Sequence, residues 1–334
     1  MPANQATKSD HLWAERHGHI CPAKRGKLIT VQGIGTKDGY NPAFYEDEHG
    51  PVLAFRCEAR SSNAADPVSY RPSIAFTRPD ARGIWRLAKD IESFGMMEDP
   101  FMFYAGGAGD KQLIFGGVWV RNVHGAIVPR TEFYRGVSLD KLERIPFAVI
   151  DNMKDVRFLQ LPDGRLLICR RPWGDKYMRG RIALHVIDSL DDVVDLDKVE
   201  LPLLALLDSC KDESDWVGVN NMYLLTDKSG KTCVGLLGHV AFQDAEGDLH
   251  YAACTYTIPL DELLSKELHK ACPQIIATRG CFEDGPAKAE NLHDVVFPGS
   301  LQRLEGDRYR LWAGLSDARI GCIELDDPFR LHTV

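Results

Sequence analysis

Five times along the chain a short apolar strand runs into a Leu-Asp or Pro-Asp corner: "AFTRPD" at 75–80, "RGVSLDKL" at 135–142, "VIDSLDDV" at 186–193, "YTIPLDEL" at 256–263 and "CIELDDPF" at 322–329. A recurrence of this kind constrains the fold more than any single motif, because repeated units must bury their faces against one another. Each corner follows a turn and an apolar strand: "EHGPVLAFRCEAR", "GDKQLIFGGVWV", "DGRLLICRRP", "SGKTCVGLLGHV" and "GDRYRLWAGLSD". Short strands bounded by Gly and Asp turns are hairpin grammar. A step further upstream each unit carries a polar opener: "NPA" at 41, "EDP" at 98, "KDV" at 154, "VNN" at 219 and "HDV" at 293.

The series predicts an all-β chain, a five-bladed β-propeller with short helices in the inter-blade connections, the opening strand of each blade lining a central funnel. Openers far apart in sequence then converge on one cavity. A β-sandwich with an appended domain is the rival architecture, and it gives no reason for an opener in all five units. Helical patterning is confined to "LPLLALLDS" near 201 and "LDELLSKELHKAC" near 260, both assigned to connections. The expected division is an N-terminal extension over 1–27, with no assigned role, and a catalytic propeller over 28–334.

Composition narrows the partners. With 44% hydrophobic and 26% charged residues and a net charge of −8, the chain has neither the profile of disorder nor that of a nucleic-acid-binding surface. An anionic ligand must therefore meet a local basic cluster. The N-terminal "MPANQATKSDHLWAERHGH" has no apolar signal core, and no stretch reaches the ~18 uncharged apolar residues of a membrane span. The nine cysteines are odd in number and form no C-x-x-C, which suits reduced thiols and a cytoplasmic protein.

Several familiar motifs fail on context. "QGIGTKDG" at 32–39 has the wrong spacing for a dinucleotide loop and runs into "YNP" where a helix should begin. "DLD" at 195–197 sits beside Asp191 and Asp192 in a solvated acidic corner. His269, Cys272 and Cys281 lack zinc-ligand spacing, and no G-x-S-x-G elbow exists, so no metal or cofactor is expected.

The openers are better evidence. "GMMEDPFMFY" at 95–104 sets Glu98 and Asp99 among Met and aromatic residues, where a turn open to solvent would be out of place. A carboxyl group enclosed by apolar walls keeps its proton and serves as a general acid near neutral pH. Asp99 or Glu98 fits, with a plain strand cap as the structural alternative. The third unit concentrates Arg165, Arg170, Arg171, Lys176, Arg179 and Arg181, and the planar fork of arginine suits phosphate or carboxylate. His239 holds the corresponding place in the fourth unit, and Asp317 and Arg319 in the fifth. Arg56, Glu58 and Arg60 alternate along a strand and should face one way.

In order, "YNPAF", "FRCE", "EDP", "KDVRF", "VVFPGS" and "WAGLSDARIG" resemble the five-bladed propeller enzymes of the β-mannoside phosphorylase type. The likeness extends over residues 28–328 and is nearest to a branch once filed as a domain of unknown function, related to the trypanosomatid mannosyltransferase/phosphorylases of β-1,2-mannan. It implies that Asp99 is the single catalytic carboxylate. It further implies sugar contacts from Asn41, Arg56, Glu98, Asp155 and Asp317, and phosphate contacts from Arg170, Arg171 and His239. Phe101 stands where that family has arginine after Glu-Asp-Pro. The expected activity is inverting phosphorolysis of terminal β-mannosides to α-mannose 1-phosphate, reversible toward oligomannoside synthesis, with inorganic phosphate as co-substrate and GDP-mannose as a second donor. A single acid suits this chemistry, since phosphate is already an anionic nucleophile, whereas an inverting hydrolase needs a base for water. The alternatives are such a hydrolase, with Asp155 or Asp294 as base, and a carbohydrate-binding propeller without turnover.

Overall fold

A computed structural model describes residues 8–17, 26–62, 66, 69–106, 111–123, 126–172, 181–195, 205–208, 215–265 and 273–331. These residues build an all-β body with two short helices. Its strands pair in four sheets, of six, four, four and eight strands in chain order, and these contain five antiparallel runs of four strands, here called units. The first unit runs Asp38–Asp47, Gly50–Glu58, Ser73–Pro79, Trp85–Leu87, and the second Met97–Ala105, Gln112–Val123, Ala126–Gly136, Ala148–Asp151. The third runs Met153–Gln160, Leu166–Pro172, Arg181–Ile187, Ala205–Asp208, and the fourth Trp216–Thr226, Thr232–Gln243, Leu249–Pro259, Gln274–Ala277. The fifth takes Asp294–Arg303, Arg308–Leu315 and Arg319–Asp326, and completes itself with Lys27–Ile29 from near the N-terminus, Lys27 lying opposite Cys322. The boundary expected after residue 27 therefore passes through a strand that ties the two ends of the chain together.

Side-chain alternation gives each inner strand two apolar faces, and the core accordingly lies in seams between successive units. Phe76, Phe94 and Phe115 fill the seam between the first and second units, and Phe101, Phe133 and Phe158 that between the second and third. Leu167, Leu184, Val217 and Val234 join the third to the fourth, and Leu237, Ala253, Val296 and Leu311 the fourth to the fifth. Phe55, Trp312 and Ile320 join the fifth back to the first. Of the described cysteines, Cys57, Cys169, Cys233, Cys254 and Cys281 are buried free thiols and Cys322 is a half-buried one. No helix among the described residues is long and apolar enough to cross a membrane.

Two sequence expectations are corrected. Ala205–Asp208, within the segment read as a helix, is the outer strand of the third unit, Ala205 opposite Leu184. Pairing to an open sheet edge overrides the helical propensity of a Leu-rich run. Leu260–Ser265 does form a helix. The fifth opener is also misplaced: His293 and Asp294 stand at the strand's beginning, and the irregularity matching the other openers falls at Pro298–Ser300.

The N-terminal helix Lys8–His17 is part of the packed body. Trp13 is fully buried against Phe242, with ring centroids 5.3 Å apart, and joins the seam containing Leu263. Ser9 Oγ donates to Asp294 at 2.6 Å, and Thr278 Oγ1 donates to Asp10 at 2.5 Å. Truncating a buried Trp removes its packing and leaves a cavity. Trp13→Ala is expected to lower unfolding stability by about 3–5 kcal/mol in urea titration; a loss below about 1 kcal/mol would show that the helix rests loosely on the surface.

Candidate active site

Each inner strand is bulged, the first four at their openers and the fifth at Pro298–Ser300. Pairing slips between Tyr40 and Ala43, Glu98 and Phe101, Lys154 and Arg157, Val219 and Asn221, and Pro298 and Ser300. A bulge re-aims a side chain that regular alternation would send into a seam. In the first three units the re-aimed residues are Asn41, Asp99 and Asp155, with φ of 48°, 52° and 52°. Asn and Asp tolerate this left-handed backbone because their short polar side chains compensate locally. Pro42 and Pro100 follow where the interrupted ladder needs no donor. Close approach of the strands requires glycine: a Cβ on Gly218 would stand 2.6 Å from Asp155 Oδ2 and on the His239 ring.

The openers meet. Asn41 Nδ2 donates to Asp99 Oδ1 at 2.8 Å, linking the first and second units. Glu98 takes three partners: Arg56 Nη1 at 2.6 Å, Lys154 Nζ at 3.0 Å and the Tyr70 hydroxyl, which donates at 2.7 Å. Arg56 also reaches Glu58 at 3.0 Å, and its guanidinium lies 5.1 Å from the centroid of the Tyr40 ring. The fully buried Glu58 accepts further bonds from Tyr40, Lys288 and, at 2.6 Å, Ser62. Arg60 turns instead to Asp38, at 2.6 Å.

Burial pulls Glu98 upward, but Arg56 and Lys154 outweigh it and hold the carboxyl well below its ordinary range. Asp99 goes the other way. Burial, reinforced by the ionised Glu98 beside it, pushes its pKa up to about 6 against the opposing charges of Arg56 and Lys154 and the bond from Asn41. Adjacent carboxyls driven apart in this way divide into a fixed anion and a proton carrier. Asp317, with φ of 49°, is likewise raised by burial, while Arg56 and Lys288 pull it back. The Asn41 Oδ1 atom is buried and accepts no hydrogen bond from the protein.

A second cluster adjoins the first through Lys154 and Asp155. Arg171 Nε lies 2.8 Å and Arg157 Nη2 3.9 Å from the Asp155 carboxylate. Burial raises Asp155, and Arg171, His239 and Arg157 more than reverse it, so this carboxylate stays ionised. Burial pushes His239 down to about 3, helped by Arg171 and Arg157 and opposed by Asp155. His239 is therefore neutral near pH 7, its Nδ1 2.9 Å from Asn220 Oδ1 and its ring between Tyr251 and Phe297. Arg157 donates through Nε to the Asn220 carbonyl at 2.7 Å and stacks over Phe101, 4.9 Å from the centroid.

Arg170 and Arg171, grouped together in the sequence reading, point to opposite faces. Arg171 faces the Asp155 cluster, whereas Arg170 is buried on the face of Ile168, close to His185. Lys176 and Arg179 lie outside the described residues. Lys154, Arg157, Asn220, Tyr251 and Lys288 were not singled out from the sequence. Lys154 and Asn220 sit inside quoted openers and were legible there, but Lys288 reaches the site from a connection without any repeat signal.

No curated protein matches the chain. Among solved structures, MPT-4 from Leishmania mexicana, a mannose phosphorylase in complex with phosphate ion, is 25% identical at a TM-score of 0.76, over 98% of this chain and 94% of that one. MPT-1, a GDP-Man-dependent mannosyltransferase from the same organism, is 25% identical at a TM-score of 0.74, over 93% and 92%. A β-1,2-mannobiose phosphorylase from Listeria innocua shares the fold at 14% identity and a TM-score of 0.59, over 87% and 90%. One family model spans residues 17–331, nearly the whole body including the clasping strand and both clusters, and by that match the chain belongs to the DUF1861 family, described as protein of unknown function.

Proposed function

We propose that this protein is an inverting mannosyl-transferring enzyme, a glycoside phosphorylase built on a five-bladed β-propeller. The cyclic order of seams, with the fifth unit returning to the first, supports the propeller. The observation that carries the function is the separation of roles at residues 98 and 99: one carboxyl pinned as an anion, its neighbour enclosed and able to hold a proton near neutrality. Likeness to a mannose phosphorylase and a mannosyltransferase over almost the full chain supports mannosyl transfer.

In phosphorolysis, Asp99 gives its proton to the departing glycosidic oxygen, directly or through a substrate hydroxyl. A phosphate oxygen forms the new bond to the anomeric carbon from the opposite face as the glycosidic bond breaks. A β-mannoside, with a β-1,2-linked oligomer as the proposed substrate, thus yields α-mannose 1-phosphate. In the synthetic direction the Asp99 carboxylate takes the proton of the acceptor hydroxyl, and GDP-mannose is a second candidate donor. Asn41, Arg56 and Asp317 fix the terminal sugar, and Glu98 holds Arg56 in place. Arg171 and Arg157 supply the cationic field for phosphate beside the neutral His239, whose Nδ1–H is directed at Asn220 and whose Nε2 is left to accept from a protonated phosphate oxygen. The Asp155 carboxylate orients these cations. No observation favours a hydrolase: Asp155 is engaged by Arg171, and Asp294 is committed to Ser9 and His250.

Asp99→Asn should lower turnover by about 10³-fold or more with an unchanged melting temperature, because an amide cannot shuttle the proton; near-normal turnover would remove Asp99 from the acid role. Arg171→Ala is expected to raise the KM for phosphate at least about tenfold, more than that for the sugar, by loss of a charge-assisted contact. An effect confined to the sugar would reassign it. Protonated Asp99 drives phosphorolysis, so kcat/KM should fall as pH rises through about 6, and synthesis should fall as pH drops through it. Glu98→Gln removes the neighbouring anion and leaves Arg56 and Lys154 to favour the carboxylate, which moves the phosphorolytic limb to lower pH. A limb that stays in place would show that Glu98 does not set the Asp99 proton.

A further inference from the structure

We infer that Lys288 is a positioning residue for the terminal sugar, holding Arg56 through Glu58 and, through its main chain, the turn that carries Asp317. The inference rests on the functional reading above, in which Arg56 and Asp317 fix that sugar. Lys288 lies in the connection between the fourth and fifth units, where Glu283, Asp284 and Glu290 stay exposed. Its own side chain turns inward and is 13% exposed. A lysine is almost never buried without partners, and here the partners belong to the site. Nζ pairs with Glu58 and donates to the Tyr40 hydroxyl at 3.3 Å. Lys288, the Tyr40 hydroxyl and Arg56 Nη2, at 3.0 Å, converge on Glu58 Oε1, while Ser62 holds Oε2. Burial would protonate Glu58, and Arg56, Lys288, Ser62 and Tyr40 together keep it ionised. Arg56 thus spans two charged carboxylates, with Nη2 on Glu58 and Nη1 on Glu98. Without the ammonium the charge on Glu58 falls to Arg56, which is then drawn away from Glu98.

The main chain of Lys288 reaches the other sugar contact. Its N–H donates to the Ser316 carbonyl at 2.9 Å, and Arg60 Nη1 donates to the adjacent Ala287 carbonyl at 2.9 Å. The segment is therefore fastened to the fifth unit and to the first. Ser316 and Asp317 hold successive left-handed backbone, with φ of 52° and 49°. Such a turn persists only where its surroundings hold it. The charged and titratable groups acting on Asp317 are Arg56, Lys288, Glu58 and Glu98, with Tyr40 and Tyr251 also within its field. Burial raises its proton affinity, and Arg56 and Lys288 oppose that rise against Glu58 and Glu98. Loss of the Lys288 charge lets Asp317 take its proton at higher pH. An ionised carboxylate accepts sugar hydroxyls more strongly than a protonated one, so the same loss weakens the second sugar contact.

The test uses Lys288→Met, which removes the charge and keeps the stem, on the full chain with β-1,2-linked mannobiose and inorganic phosphate. The sugar KM should rise about tenfold near neutral pH, with kcat and the phosphate KM within about twofold of wild type. On acidification the sugar KM of the variant should begin to climb at a higher pH than that of wild type, and Lys288→Arg should restore both properties. An unchanged sugar KM, or equal losses in kcat and both KM values, would overturn the inference. Glu58→Gln combined with Lys288→Met also removes the buried charge left unpaired. That protein should melt as wild type does and keep the raised sugar KM; a wild-type sugar KM there overturns the inference as well. Calorimetric titration of mannobiose into Asp99→Asn protein reads the contact without turnover: added Lys288→Met should weaken binding about tenfold, and unchanged or absent binding counts against the inference. Wild-type protein that binds mannobiose with this sensitivity but forms no mannose 1-phosphate would instead overturn the phosphorylase reading and leave the role of Lys288 standing.

Discussion

Glu98 is held by a cation from each neighbouring unit, Arg56 from the first and Lys154 from the third, and the rest of the site depends on that pairing. A buried carboxylate without partners would recover a proton or disrupt the fold. Paired on both sides, it becomes a fixed negative charge in a buried position. Its first effect is structural, since it ties three inner strands together where their ladders are broken by bulges. Its second is chemical, since the same charge raises the proton affinity of Asp99 next to it.

The bulges explain how an ordinary repeat generates a site. Regular alternation would send Asn41, Asp99 and Asp155 into the seams, where no polar partner awaits them. One extra residue per inner strand, accepted in left-handed backbone by Asn and Asp, turns them toward one another. Four of the five openers could be located from sequence because polar pairs inside apolar strands stand out. The fifth could not, because its bulge is made by Gly299, which has no side chain to mark it.

What stayed hidden in the sequence was set by distance along the chain. Nothing about Lys288 foretells that a connecting segment will lay its ammonium on Glu58, and nothing about Lys27–Ile29 foretells its place beside Arg319–Asp326. The role of the N-terminal helix is not legible in the sequence, because Ser9, Asp10 and Trp13 find partners more than two hundred residues away, at Asp294, Thr278 and Phe242. The division between Arg170 and Arg171 was legible. Adjacent residues on a regular strand face opposite ways, and only one of the two could join His239.

The central claim is that one enclosed acid works with a phosphate nucleophile. The most direct measurement incubates the purified protein with β-1,2-linked mannose oligomers, with and without inorganic phosphate, and assays mannose 1-phosphate and free mannose. The account predicts mannose 1-phosphate of α configuration only when phosphate is present. Free mannose released equally in phosphate-free buffer would contradict it.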